Sequence, residues 1–360
     1  MKRKFYFIVV ALVLSAGCKT TIDIGKEISK RISEPYDSTK SINVLFATPR
    51  KTAASNPACS NAYFTTSFDS TEKYGLCKVN VPIGHEIGAI DTNPAGDSEK
   101  FFKFEKYESF KFDHIINSIQ RDSSEEVIVF VHGFNVKFEE AIFRAAQIKF
   151  DVKFPGPVIV YTWPAGAEEG FLNQLLIQGT YKNNFQNALS SIAGFKNFLK
   201  KIESTKKKIH LIVHSMGHQV VLPGLAEISG EFSEPFLQEV IFNAPDFDTN
   251  EFSKIASRIS KSSKRVTVYC SPGDNALVAS SKVNSGKRIG SCEKISGVEM
   301  INVNPVDSPV LGIGGLGHGY YSSRPILTDL FQVLLGIPAN KRLFIQQAAS
   351  SSTEDYILRK

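Results

Sequence analysis

The chain has 360 residues, 42% hydrophobic and 22% charged, which supplies apolar surface for a sizeable core and excludes a disordered chain. Its 42 basic and 36 acidic side chains leave a formal charge of +6, and no basic stripe interleaved with aromatics appears, so no nucleic acid partner is expected. Neither C-x-x-C nor H-E-x-x-H spacing occurs, and no metal or other cofactor is expected.

Lys2, Arg3 and Lys4 precede a short apolar stretch, Phe5 to Leu14, with the length of a signal-peptide core rather than of a membrane span. The segment closes on Leu14-Ser15-Ala16-Gly17-Cys18, which resembles the bacterial lipobox with its leucine one place early. Residues 1–17 are therefore expected to be a signal peptide. Cys18 is the expected point of lipid attachment, anchoring the protein to a membrane of the cell envelope; plain secretion after a small-residue cleavage site is the other reading. Both place the protein in an exported, disulfide-permissive compartment. Residues 18–40 are polar and mixed in charge and fit a tether.

One domain is expected from 41 to 345, with strands and loops to 122 and a regular core from 123, followed by a C-terminal tail from 346 whose stretch Ala348 to Ser352 frays. Asn43 to Ala47 and Lys78 to Pro82 read as strands around a cysteine-containing loop, and Phe101 to Ile119 alternates aromatic and charged residues before a helix. Four cysteines remain beyond Cys18. Local pairing, Cys59 with Cys77 and Cys270 with Cys292, is the simplest of three connectivities; four free thiols is the alternative. From Glu126 onward, apolar β-branched runs at Val127–Val131, Val158–Thr162, Ile209–Val213, Val240–Phe242, Val266–Tyr269 and Val298–Val303 alternate with helical stretches. That alternation predicts an α/β fold with a mostly parallel central sheet and helices on both faces.

Ligands of such sheets bind beyond the carboxyl ends of the strands. There the runs are followed by His132-Gly133-Phe134-Asn135, Trp163-Pro164-Ala165-Gly166, Ser215, Ala244-Pro245-Asp246-Phe247-Asp248, Ser271-Pro272-Gly273-Asp274, and finally Gly317-His318-Gly319. Val213-His214-Ser215-Met216-Gly217 reads as a nucleophile elbow, in which a strained strand-to-helix turn exposes the serine Oγ. Val213 stands where G-x-S-x-G has glycine, which predicts a tight elbow. A serine needs an imidazole to take its proton and a carboxylate to orient that imidazole. Ser215, Asp274 and His318 occur in the chain order that alpha/beta hydrolases use. Asp246 is an alternative acid, or else the N-cap of a helix beginning near Thr249; Asp274 could likewise cap the stretch Ala276 to Ser281. His132 is expected to support its loop through hydrogen bonds, and His214 and His218 to be structural or to line the pocket. Trp163 either lines the acyl pocket or sits in the core.

On these segments, with Val44 to Arg50, Tyr74 to Ile83 and Tyr269 to Leu277, the chain resembles the alpha/beta-hydrolase superfamily and, within it, a bacterial esterase/lipase-like family of unassigned substrate. The resemblance covers most of the mature chain. It implies Ser215 as nucleophile, His318 as base, Asp274 as acid, and an oxyanion hole from the N–H groups of Phe134 and Met216. The expected activity is hydrolysis of a small-molecule or lipid ester through an acyl-enzyme. An acyltransferase using the same triad and a non-catalytic envelope lipoprotein using the fold as a binding module are the alternatives. Ala167 to Thr180, rich in Phe and Leu, reads as an apolar lid or as a plain packed helix.

Overall fold

Alternate side chains of the central strands enter opposite core layers, which is why their sequences are apolar at every position. In the strand Glu126–Val131 (β4), Val127, Val129 and Val131 pack on one face, and Ile128 and Phe130 on the other. The computed structural model describes residues 24–32, 38–167, 174–306 and 318–359. The expected signal peptide, Cys18, Phe171, Leu172 and Gly317 lie outside them, as do the side chains of Leu175, Leu176 and Ile177.

The other strands are Lys40–Thr52 (β1), Phe64–Val81 (β2), Lys103–Phe110 (β3), Val158–Tyr161 (β5), Lys208–His214 (β6), Leu237–Asn243 (β7), Ser263–Cys270 (β8), Glu299–Asn302 (β9), Ile345–Gln347 (β10) and Tyr356–Leu358 (β11). They form one eleven-stranded sheet in the order β10-β11-β9-β8-β7-β6-β4-β5-β1-β2-β3. Pairing is parallel from β1 through β5, β4, β6, β7, β8 and β9 to β11, and antiparallel at β1–β2, β2–β3 and β10–β11. The chain moves from β4 to β5 on one side and then returns to β6 on the other, so the strand order reverses between β4 and β6. That reversal is where a doubly wound sheet opens a crevice at its carboxyl edge.

Helices Phe112–Arg121 (α2), Gln174–Glu203 (α4), Gly217–Ile228 (α5) and Thr249–Lys261 (α6) cover one face. Phe138–Asp151 (α3) and Arg324–Leu334 (α8) cover the other, where Leu277 of Asn275–Asn284 (α7) also packs. Both expected disulfides are present, Cys59–Cys77 and Cys270–Cys292. No helix among the described residues is long and apolar enough to cross a membrane.

Two expectations at the ends are corrected. Ile24–Ile32 (α1), inside the expected tether, is a helix, and its Arg31 meets a carboxylate at the start of β4: Nη2 donates to Glu126 Oε2 at 3.0 Å. Residues beyond 345 do not form a free tail. β11 adds in parallel to β9, and the Asp355 side chain accepts from the Met300 N–H at 3.0 Å, so the last strands extend the sheet.

Candidate active site

β6 ends at His214, and Ser215 then takes the left-handed backbone region with φ of 51°. A non-glycine residue is held there only when its surroundings fix it, at a cost of about 1–3 kcal/mol. The Ser215 N–H donates to the Asn243 carbonyl at 3.0 Å, and its own carbonyl accepts from the His218 N–H at 3.1 Å and the Asp246 N–H at 3.3 Å. Clearance around the serine comes from two glycines. A Cβ on Gly217 would sit 2.5 Å from the His132 carbonyl oxygen, and one on Gly133 would sit 2.7 Å from Ser215 Cβ. Val213 is fully buried in the core layer that also holds its register neighbours Val131 and Phe242. The elbow therefore accommodates a valine where a tight turn was expected.

The structure brings together the three residues that the chain order singled out. His318 Nε2 lies 2.7 Å from Ser215 Oγ, and His318 Nδ1 lies 2.6 Å from Asp274 Oδ2. A carboxylate only accepts, so Nδ1 carries the proton and Nε2 is left to accept from the serine hydroxyl. Asp274 also caps α7: its Oδ1 accepts from the N–H groups of Ala276 and Leu277, both at 3.1 Å. Capping and orienting were alternative readings of this residue; one oxygen performs each, and the cap locks the carboxylate that faces the histidine.

A family model described as an alpha/beta hydrolase of unknown function (DUF900) matches residues 108–336, more than half of the chain. The chain belongs to this family. No curated protein matches it.

In this alpha/beta hydrolase Asp246 faces other partners. Its Oδ1 accepts from Ser280 Oγ at 2.5 Å, its Oδ2 accepts from the Tyr181 hydroxyl at 3.1 Å, and Arg288 Nε lies 3.4 Å away. It does not cap α6 either; Asp248 does, accepting from the Glu251 N–H at 3.0 Å, because only residue 248 immediately precedes the first helical turn.

The Gly133–Phe134 turn follows β4, which pairs directly with β6, so it borders the serine. Neither the Phe134 nor the Met216 N–H donates to any described residue. Asn135, with φ of 56°, is pinned through its N–H to Asn184 Oδ1 at 3.1 Å. The same oxygen accepts from the Gly166 N–H at 3.0 Å, and Asn184 Nδ2 donates to the Gly166 carbonyl. Asn184 of α4 thus ties the loops after β4 and β5 together. It carries no motif in the sequence and was not foreseen. Tyr181, one turn earlier, packs its ring against Phe134 with centroids 5.7 Å apart; it too was missed.

The other histidines around Ser215 are uncharged. His132 Nδ1 lies 3.0 Å from the Gly133 carbonyl oxygen and its ring stacks on Trp163; burial and then the Arg50 charge lower its pKa to about 3. Trp163 is fully buried with its indole N–H on the His132 carbonyl at 2.8 Å, so it belongs to the core. His218 Nδ1 donates to the Ser215 carbonyl at 2.7 Å, and burial lowers its pKa to about 3. His214 stacks on Tyr321, with centroids 3.8 Å apart, and lies 5.1 Å from the His318 ring; burial and then His318 push its pKa well below the usual value. No cluster of three or more metal-ligating side chains occurs among the described residues.

Proposed function

We propose that the protein is a serine hydrolase that cleaves carboxylic esters through an acyl-enzyme on Ser215. The observation that carries this is the unbroken line of hydrogen bonds from Ser215 Oγ through both ring nitrogens of His318 to Asp274, at 2.7 and 2.6 Å, on a strained elbow in an alpha/beta hydrolase. The Ser215 Oγ attacks the ester carbonyl carbon while its proton passes to His318 Nε2. The carbonyl oxygen becomes an oxyanion that accepts from the Met216 and Phe134 N–H groups. Collapse of the tetrahedral adduct breaks the C–O bond, and the proton on Nε2 leaves with the alcohol. Water, deprotonated by the same nitrogen, then releases the acid and restores the serine. Asp274 stays ionised and stabilises the imidazolium formed in each half-reaction.

The protein is exported under this proposal, with residues 1–17 as signal peptide and Cys18 as lipid anchor to an envelope membrane; the two disulfides support an oxidising compartment. The substrate is a small-molecule or lipid ester. The test is reaction of the purified mature protein with a fluorophosphonate probe and mapping of the labelled peptide. Labelling at Ser215 that vanishes in His318→Ala establishes an activated nucleophile. A folded protein that takes no label overturns the proposal in favour of a binding module.

A further inference from the structure

The Phe134 N–H belongs to the same amide as the Gly133 carbonyl. Because the amide is planar and trans, its C=O and N–H point in opposite directions, and whatever fixes the oxygen fixes the aim of the N–H. The Gly133 oxygen only accepts, so His132 Nδ1 is the protonated ring nitrogen and donates to it at 3.0 Å. The other nitrogen of the neutral ring is then an acceptor, and Thr162 Oγ1, 3.1 Å from Nε2, donates to it. Thr162 Oγ1 in turn accepts from Arg50 Nε at 3.1 Å. Every donor in this series faces an acceptor in one direction, from the guanidinium to the Gly133 carbonyl. The low pKa of His132 keeps the ring from taking a second proton that would reverse the Thr162 link.

Arg50 grips the same loop from its far side. Its Nη2 donates to the Val136 carbonyl at 2.9 Å, two residues beyond Phe134, and its Nη1 donates to the Ala165 carbonyl at 2.8 Å and the Thr65 carbonyl at 3.2 Å. The side chain is fully buried, and among the described residues its hydrogen-bond partners are all neutral oxygens with no carboxylate in ion-pair contact. Burial lowers the Arg50 pKa to about 9, and Glu140, the carboxylate whose charge opposes this, makes no ion-pair contact; a cation held so is costly, and a hydrocarbon chain would fill the same space more cheaply. Its benefit therefore lies where negative charge develops nearby.

We propose that Arg50, Thr162 and His132 form a positioning relay that fixes the Gly133–Phe134 peptide plane and aims the Phe134 N–H at the oxyanion of the transition state. This rests on the reading of Ser215 as an acyl-transfer nucleophile. The relay has no part in proton transfer. It acts through Phe134, and polarisation along the series strengthens the N–H as a donor.

The test compares Thr162→Val, which keeps the side-chain shape and removes the hydroxyl, with Thr162→Ser, which restores it. Steady-state kinetics on a chromogenic short-chain ester, the rate of fluorophosphonate labelling and the thermal midpoint are measured for both and for the wild type. Thr162→Val is expected to lower kcat and the labelling rate about 10- to 100-fold, the effect of misaiming one oxyanion donor, with KM little changed. Thr162→Ser recovers most of that loss at a similar thermal midpoint. Should Thr162→Val not fold, His132→Asn, whose amide can still donate to Gly133, compared with His132→Leu, makes the same comparison. Wild-type kcat in Thr162→Val, or a loss that Thr162→Ser shares in full, overturns the relay. Failure of the wild type to label at Ser215 overturns the acyl-transfer reading itself, so the two failures are distinct.

Discussion

Two arginines are fully buried at opposite ends of the sheet, and they are held in opposite ways. Arg342, at the amino end of β7–β9, donates to Asp329 Oδ2 at 2.8 Å and to Glu299 Oε2 at 3.0 Å, so its charge is cancelled where it stands. Arg50, at the carboxyl end, meets only neutral oxygens. At the amino end charges balance one another and serve the fold. On the Ser215 side of the crevice Arg50 has no carboxylate in contact and lies near histidines that burial keeps neutral, and under the proposed acyl transfer the reaction itself would supply negative charge there.

The largest effect separates chemistry from folding within one residue. Asp274→Asn keeps an oxygen that can cap α7 and loses the charge that fixes the His318 tautomer. It is expected to lower kcat by about 10⁴-fold with almost no change in thermal midpoint. Asp246→Asn should leave kcat near wild type, because Asp246 bonds to Ser280 and Tyr181 rather than to His318. Equal losses in the two variants would return the acid assignment to Asp246.

The contrast between the arginines is broken next, by urea unfolding at two pH values. Arg342→Met abandons Asp329 and Glu299, and is expected to cost about 3–5 kcal/mol at neutral pH. Burial already raises the Asp329 pKa and losing Arg342 raises it further, so protonation of Asp329 relieves the variant and the deficit shrinks as pH falls. Arg50→Met leaves only neutral acceptors unpaired; because the Arg50 charge also helps to lower the His132 pKa, its deficit should shrink only slightly toward pH 5. A deficit that varies equally in both variants would mean that Arg50 has a carboxylate partner in solution.

The disulfides give a third contrast. They close spans of 18 and 22 residues, and loop-closure entropy assigns each about 2–4 kcal/mol, so removing either should lower stability alike. Only Cys270 ends the strand that leads into Asp274, and the adjoining Ser271 N–H bonds to the Gly290 carbonyl beside Cys292. The Cys270→Ser/Cys292→Ser pair should therefore lower kcat as well, whereas Cys59→Ser/Cys77→Ser should leave it unchanged. Equal kcat in both double variants would show that the acid loop holds its geometry without the bridge.

What the sequence made legible follows from periodicity and from covalent order. Continuous β-branched runs can be buried only in a sheet covered on both faces, and residues after each run fall at one edge, so Ser215, Asp274 and His318 could be placed before their distances were known. Arg50, Thr162, Asn184 and Tyr181 could not. Arg50 lies within a strand and Asn184 within a long helix, and a polar residue there carries no spacing that distinguishes a buried strut from a solvated one. α1 and β11 were misread for a related reason: each meets partners distant in sequence, Glu126 and Phe154 for α1 and β9 for β11, that local composition does not announce.

A pH titration tests whether the amino-end cluster is as balanced as its geometry implies. Burial raises the Glu239 pKa from 4.5 to about 7, with Arg265, 3.6 Å away, only partly opposing it. The folded state then holds a proton more tightly than the unfolded chain, so stability is full below pH 4.5 and declines as pH rises to about 7, by at most about 1.4 kcal/mol per pH unit. His132 and His218 act in the opposite sense. Their folded pKa of about 3 lies below the unfolded 6.5, so their stabilisation is lost as pH falls through that window. Wild-type stability alone would mix the two slopes. Glu239→Gln removes one of them, and the difference between variant and wild type should turn steadily in favour of the variant from pH 4.5 to 7 and then level off. A flat difference would mean that Glu239 is ionised throughout, paired with Arg265.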